Sequence, residues 1–138
     1  MSQVRLLAAD RPLPLCDQQE ERTSTVMVRG EPVSITILRG FLVEEHLYYR
    51  SAVDALDYPI KPWRYELELE AEEADLNALK AYLAENLHPG ETAELWSIWL
   101  SDDVRKRPPH YRGTLADFDL ETLRQFLEPG RRWLSVTI

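Results

Sequence analysis

Hydrophobic and polar positions change their period several times along the chain, and each change marks an element. Tyr65-Glu66-Leu67-Glu68-Leu69-Glu70 alternates strictly, which predicts a strand that buries Tyr65, Leu67 and Leu69 and turns three glutamates to the other face. Leu76, Leu79, Leu83 and Leu87 then recur at helical spacing, and His88-Pro89-Gly90 closes that helix with a proline stop and a glycine suited to positive φ. Residues 92–100 are apolar on both faces, with Trp96, Ile98 and Leu100 on one and Ala93, Leu95 and Trp99 on the other, so a strand here needs cover on both sides. Asp119 caps a last helix, with Phe118 and Leu123 spaced as a hydrophobic staple. Pro129-Gly130 ends it, and residues 132–138 form a final strand with Leu134, Val136 and Ile138 facing inward.

The first half is less regular. Residues 4–8 read as a strand, followed by the proline-broken loop Asp10-Arg11-Pro12-Leu13-Pro14. The β-branched runs 23–28 and 33–38 flank Arg29-Gly30-Glu31-Pro32 and predict a hairpin, with Val33, Ile35 and Ile37 on one face. Residues 43–56 place acids at the front and apolar residues at roughly helical intervals, which predicts a helix. Tyr58-Pro59-Ile60-Lys61-Pro62-Trp63 breaks it and reads as a linker.

The two late helices share a pattern. Residues 75–83 and 119–127 both read Asp-Leu-x-x-Leu-basic-x-aromatic-Leu, and each is followed by Pro-Gly and a strand. A β-α-β unit written twice predicts an α+β fold, a ferredoxin-like β-α-β-β-α-β sandwich in the C-terminal half with both helices on one face. The N-terminal hairpin and helix then pack on the sheet or extend it, because the tryptophan-bearing strand needs cover on its second side. A chain of 138 residues suits one hydrophobic core, so a single domain over 1–138 is expected, with a hairpin-plus-helix subregion (1–63) and the duplicated units (64–138).

Charge sharpens the reading. The formal net charge is −8, and residues 65–104 hold eleven acidic groups against one basic. Such a balance argues against nucleic acid and anionic lipid as partners, since both are bound by lysine and arginine. No apolar run approaches the ~20 residues needed to span a bilayer, and no secretion signal is visible. Cys16 is the only cysteine, so no internal disulfide forms, and a cytoplasmic location is expected.

The usual catalytic signatures are missing from the sequence: no Gly-x-Ser-x-Gly, no His-Glu-x-x-His, no Cys-x-x-Cys and no glycine cluster. Neither a metal nor a cofactor is expected. His46 is the best acid/base candidate, because Glu44, Glu45, Tyr49 and Arg50 lie within a helical turn of it. His88 needs only its place at a helix end. Arg105-Lys106-Arg107 with Arg112 is the sole basic cluster, beside His110, and reads as a loop that neutralises the acidic half.

These features favour a non-catalytic interaction protein. Its binding surface is expected at Glu66, Glu68 and Glu70 with Trp96 and Trp99 beside them, facing a protein partner of basic character, in the manner of small acidic inhibitor or immunity proteins. The edge strand offers a second copy a place to pair, giving a homodimer. The alternative is a small-molecule binder or small enzyme, with a pocket between the N-terminal half and the sheet that uses His46, Tyr49 and Arg50.

Overall fold

The computed structural model describes residues 2–100 and 107–138. Nine strands and three helices follow in the order β1 (Ser2–Ala9), β2 (Cys16–Asp17), β3 (Glu20–Val28), β4 (Glu31–Arg39), β5 (Leu42–Glu45), α1 (Arg50–Ala55), β6 (Trp63–Glu68), α2 (Glu73–Asn86), β7 (Thr92–Leu100), β8 (His110–Thr114), α3 (Leu120–Leu127) and β9 (Arg132–Thr137). Seven strands form one sheet in the order β2-β5-β6-β1-β7-β9-β8, and β3 and β4 form a separate two-stranded ribbon. The fold is α+β, as the alternating and helical periods predict.

The ferredoxin-like order is not what these strands adopt. β1 pairs antiparallel with both β6 and β7, so an N-terminal strand fills the gap inside the β6-α2-β7 unit. β8 instead pairs directly and in parallel with β9. One unit is split and the other is not, so the duplication visible in the helices does not extend to the sheet. Going from β6 to β7 and from β8 to β9, both the strand direction and the direction of travel across the sheet reverse. Right-handed crossovers therefore place both helices on the same face. One core joins Leu76, Leu79 and Leu83 of α2 and Leu123 and Phe126 of α3 to Leu7, Leu67, Leu95 and Val136 of the sheet. Asp119 caps α3 by accepting the Thr122 N–H at 2.8 Å.

The opposite face has its own core. Val4, Leu6, Ala8, Trp96 and Ile98 are covered by Val53 of α1 and by Tyr58 and Ile60. Two expectations change here. The segment 58–63 is no linker, because its apolar side chains close the sheet. The helix expected over 43–56 is confined to Arg50–Ala55; its front half is β5, which pairs with β6 and buries Val43. Val43-Glu44-Glu45-His46 satisfies a two-residue period as well as a helical one, and the free edge of β6 decides between them.

The hairpin forms where the β-branched runs predict it, with Arg29 and Gly30 both at positive φ (52° and 82°), the conformation a two-residue turn of this hand demands. It neither packs on the main sheet nor extends it. Every residue of β3 and β4 is exposed, and neither core contains a residue from 20–39.

Candidate functional site

Directly opposed residues of an antiparallel pair share a face, so the β3–β4 register sorts the ribbon's side chains. Val26 faces Val33, Ser24 faces Ile35 and Val28 faces Glu31, while Thr23 faces Thr36 and Thr25 faces Ser34. One face is therefore a row of β-branched apolar residues, Val26, Val28, Val33, Ile35 and Ile37. The other carries the hydroxyls of Thr23, Thr25, Ser34 and Thr36 at its centre, with Thr23 and Thr36 hydrogen-bonded at 2.8 Å, and exposed Met27 and Leu38 at its two ends. Seven of the thirteen exposed large hydrophobics among the described residues lie on this ribbon, five of them on the β-branched face.

Its base is held firmly. Gly40 has φ 136°, and a Cβ there would stand 2.9 Å from the Gln18 carbonyl oxygen, so only glycine fits where the two legs of the ribbon meet. The Gln18 N–H donates to the Phe41 carbonyl at 2.9 Å. Arg22 bonds both oxygens of Glu72 at 3.1 and 3.2 Å, Arg39 lies 3.8 Å from Glu70, and Gln19 donates to Glu68 at 3.0 Å. Three acids and three arginines balance over residues 20–39. The ribbon is a neutral, apolar arm on a body that carries the whole negative charge.

Acidic residues expected at a binding surface lie beside the base of this arm. Glu66 and Glu68 do face away from α2 and α3, but Glu68, Glu70 and Glu72 anchor the ribbon. Trp96 is fully buried, stacked between Tyr58 and Trp133 at centroid distances of 5.8 and 4.4 Å, and is closed to any partner. Trp99 is half-buried near the end of β7. Glu94, 5% exposed, accepts the indole N–H of Trp96 at 3.3 Å and of Trp133 at 3.1 Å, and the Lys61 N–H at 2.8 Å. Sequence gave no sign of that hub. His110 stacks on Trp133 at 3.6 Å and bonds Ser135 at 2.7 Å, which ties β8 down. Burial, followed by the nearby Arg112 charge, lowers its pKa.

The alternative site gathers more of its residues. β1 pairs with β7 from Ser2 onward but with β6 only from Leu6, and the strands part to leave a cleft of about 260 Å³ lined by Arg5, Tyr48, Tyr49, Glu66 and Glu68 among others. Glu66 sits directly opposite Glu44 on β5; partial burial, then the facing Glu44 carboxylate, raise its pKa. Tyr49 adopts φ 61° at the head of α1, a strained conformation for a bulky residue, and its hydroxyl accepts from Ser2 at 3.0 Å. Arg50 opens α1. His46 is 1% exposed, so its ring is sealed from solvent. Burial, then the charges of Arg50 and Arg64, lower its pKa. It does not line the cleft.

A larger groove of about 640 Å³ runs between α3 and the β8 edge, with Phe118, Phe126, Leu134 and Val136 among its walls and Tyr111 and Gly113 beneath. Of the expected basic cluster, Arg112 borders this groove, and Arg105 and Lys106 lie outside the described residues. Among the described residues no group of three or more His, Cys, Asp or Glu is placed to hold a metal ion, and no helix is long and apolar enough to cross a membrane. In comparisons with known proteins, no family model, no curated sequence and no solved structure matches the chain.

Proposed function

We propose that the chain is a non-catalytic interaction protein that engages a protein partner through the β3–β4 ribbon. The observation that carries this reading is the uncovered row of Val26, Val28, Val33, Ile35 and Ile37 on an arm whose residues contribute to neither core. A two-stranded ribbon alone is marginal in water, and contiguous apolar surface of this kind marks interaction sites. The fitting partner is a protein with an apolar cleft beside an unpaired strand edge, since the ribbon has unpaired backbone groups along its outer edges and apolar side chains on one face. A nucleic acid would need cationic excess on the arm, and the arm is neutral.

The test is retention on immobilised wild-type chain against Ile35→Lys. Proteins retained by the first and lost from the second are purified and titrated; affinity weakened at least tenfold by the substitution supports the reading. Equal retention by both chains overturns it.

A second reading has its own observation, the β1–β6 cleft with Glu66 facing Glu44 beneath two exposed tyrosines. It suits a small cationic ligand, held by carboxylate and aromatic faces. Titration with simple amines, followed by tyrosine and Glu66 nuclear resonances, decides it: saturable shifts at these residues support the cleft, and their absence removes it.

A further inference from the structure

We infer that the cleft between β1 and β6 captures the amino end of an extended peptide, which lies as a short strand between the two and sets its terminal ammonium against Glu66. This deepens the reading of the cleft as a cation site and rests on it. A pocket on one face of a sheet is lined by alternate residues of each strand. This cleft instead takes the consecutive residues Gln3, Val4 and Arg5 from β1 and Glu66, Leu67 and Glu68 from β6. It therefore lies in the plane of the sheet, in the gap between the strands.

Both strands are held on their outer sides along this stretch. β1 keeps its register with β7 from Ser2 opposite Leu100 to Ala8 opposite Glu94, and β6 keeps its register with β5 from Tyr65 to Glu68. Toward each other they pair only where Leu6 meets Glu66 and beyond, to Ala9 opposite Trp63. Alternate residues of an antiparallel strand aim both backbone groups to the same side, so β1 and β6 present facing main-chain donors and acceptors across the gap. An added segment finds partners on both sides, the chemistry of strand addition. Ser2 to Arg5 spans about 10 Å at strand rise, and a cleft of about 260 Å³ is smaller than the ~300–1,000 Å³ of sites for whole ligands. It suits a few residues of chain, and because the strands rejoin at Leu6 and Glu66, a chain lying along them has to end there.

Charge selects which end of a chain fits. Glu66 stands at the closed end of the gap, backed by Glu44 directly opposite it on β5, and Glu68 lies two residues on along the same face. Arg5 points to the other face, where its guanidinium donates to the Leu127 carbonyl at 3.0 Å and to Gln3 at 3.3 Å. A terminal ammonium brings one positive charge and three donors to the facing carboxylates. It offsets the burial and the Glu44 charge that raise the Glu66 pKa, whereas a terminal carboxylate would add a further negative charge beside them. Tyr48 and Tyr49 border the cleft and offer ring faces to the same cation.

Nuclear resonance titration of the isotope-labelled chain tests this with three probes: n-butylamine, a tetra-alanine amide with a free amino end, and the same amide acetylated at that end. The expected result is saturable shifts of the backbone amides of residues 3–5 and 66–68 with the free-ended peptide, at a dissociation constant roughly tenfold or more below that of butylamine. Acetylation and Glu66→Gln should each weaken peptide binding by roughly tenfold or more, the worth of one charge-assisted hydrogen bond. Circular dichroism confirms that the variant, which removes a charge from a facing pair, is folded. If butylamine binds in the cleft and the free-ended peptide binds no tighter, the cation reading stands and the capture of a chain end is wrong. If the acetylated peptide binds as tightly as the free one, the ammonium assignment is wrong. If no probe shifts these amides, the inference and the cation reading of the cleft fall together.

Discussion

Arg22 and Glu72 join the ribbon to the body through a two-pronged ion pair, Nη1 reaching both carboxylate oxygens at 3.1 and 3.2 Å and Nη2 adding a third contact at 3.2 Å. The pair fixes how the arm leaves the sheet, because Glu72 stands immediately before α2 and Arg22 lies three residues into β3. The hydrogen bond and charge of Arg22 hold the Glu72 carboxyl below its ordinary value. The contact therefore persists at neutral pH and is lost as pH falls through that lowered value. Glu72→Gln is expected to leave the melting midpoint of the body unchanged and to increase nanosecond motion of ribbon amides, measured by nuclear relaxation. Unchanged ribbon order parameters would show that the pair does not set the arm's direction.

Substitutions on the arm are expected to leave folding alone. Val33→Lys and Ile35→Lys place charge on a surface already open to water, and neither side chain belongs to a core, so their effect stays within about 0.5 kcal/mol, the usual range for surface positions. Denaturant unfolding checks this, and a loss of several times that amount would show the arm to be part of the cooperative unit.

Glu94 is expected to behave in the opposite way. It satisfies the two indole N–H groups and the Lys61 amide from a buried position. Glu94→Leu leaves those donors without a partner, at a cost of about 1–3 kcal/mol for each buried group so stranded. Glu94→Gln keeps acceptor capacity and should lose much less. Comparing the two by chemical denaturation, with tryptophan emission as the probe, separates hydrogen bonding from packing; equal losses would contradict the role assigned to the carboxylate.

Acid should weaken the fold through His46. Its folded pKa is lowered by burial, so the unfolded chain takes up the proton first, and stability falls as pH drops below about 6.5, until the folded value is reached. His110, lowered for the same first reason, acts in the same direction, and Glu66, raised, partly offsets both. His46→Leu removes this buried titratable ring and is expected to raise the midpoint and flatten its pH dependence below about pH 6.5. An unaltered pH profile in the variant would place the acid sensitivity elsewhere.

Glu66→Gln tests the facing carboxylates. Because burial and Glu44 raise the Glu66 pKa, its ionised form is less favourable in the folded than in the unfolded chain, and that penalty is present above the raised value and absent well below the ordinary one. The amide variant should be the more stable protein at pH 7, and its advantage should shrink on acidification. Thermal scans across pH give the sign directly, and a variant less stable at pH 7 would reverse the assignment.

Much of the fold was legible in local patterns, and what was not has a physical cause. The alternation at Tyr65–Glu70 in sequence, the Leu76 to Leu87 period and the Asp119 cap are local signals, and β6, α2 and α3 form there. The central place of β1 is a matter of long-range pairing, to which residues 2–9 carry no local clue. Val33-Ser34-Ile35-Thr36-Ile37 reads as a strand with a buried face, since β-branched alternation signals burial without saying what covers it. Residue type alone likewise could not tell Trp96, sealed under Tyr58, from Trp99 at the strand end. The candidate site was legible in its ingredients, the hairpin and the glutamates, but not in their relation: Glu68 and Glu70, expected at a binding surface, contact the base of the arm proposed here to dock.

The decisive measurement is amide hydrogen exchange resolved to the ribbon and to the β1–β7 pair, taken on the free chain and on its complex with a protein that the wild-type chain retains. An arm outside the cores opens locally, so in the free chain its amides are expected to exchange far faster than those of β1 and β7, and to gain protection in the complex. Ribbon amides as slow as those of β7 in the free chain, or unchanged by every protein retained by the wild-type chain, would contradict the role given to the arm.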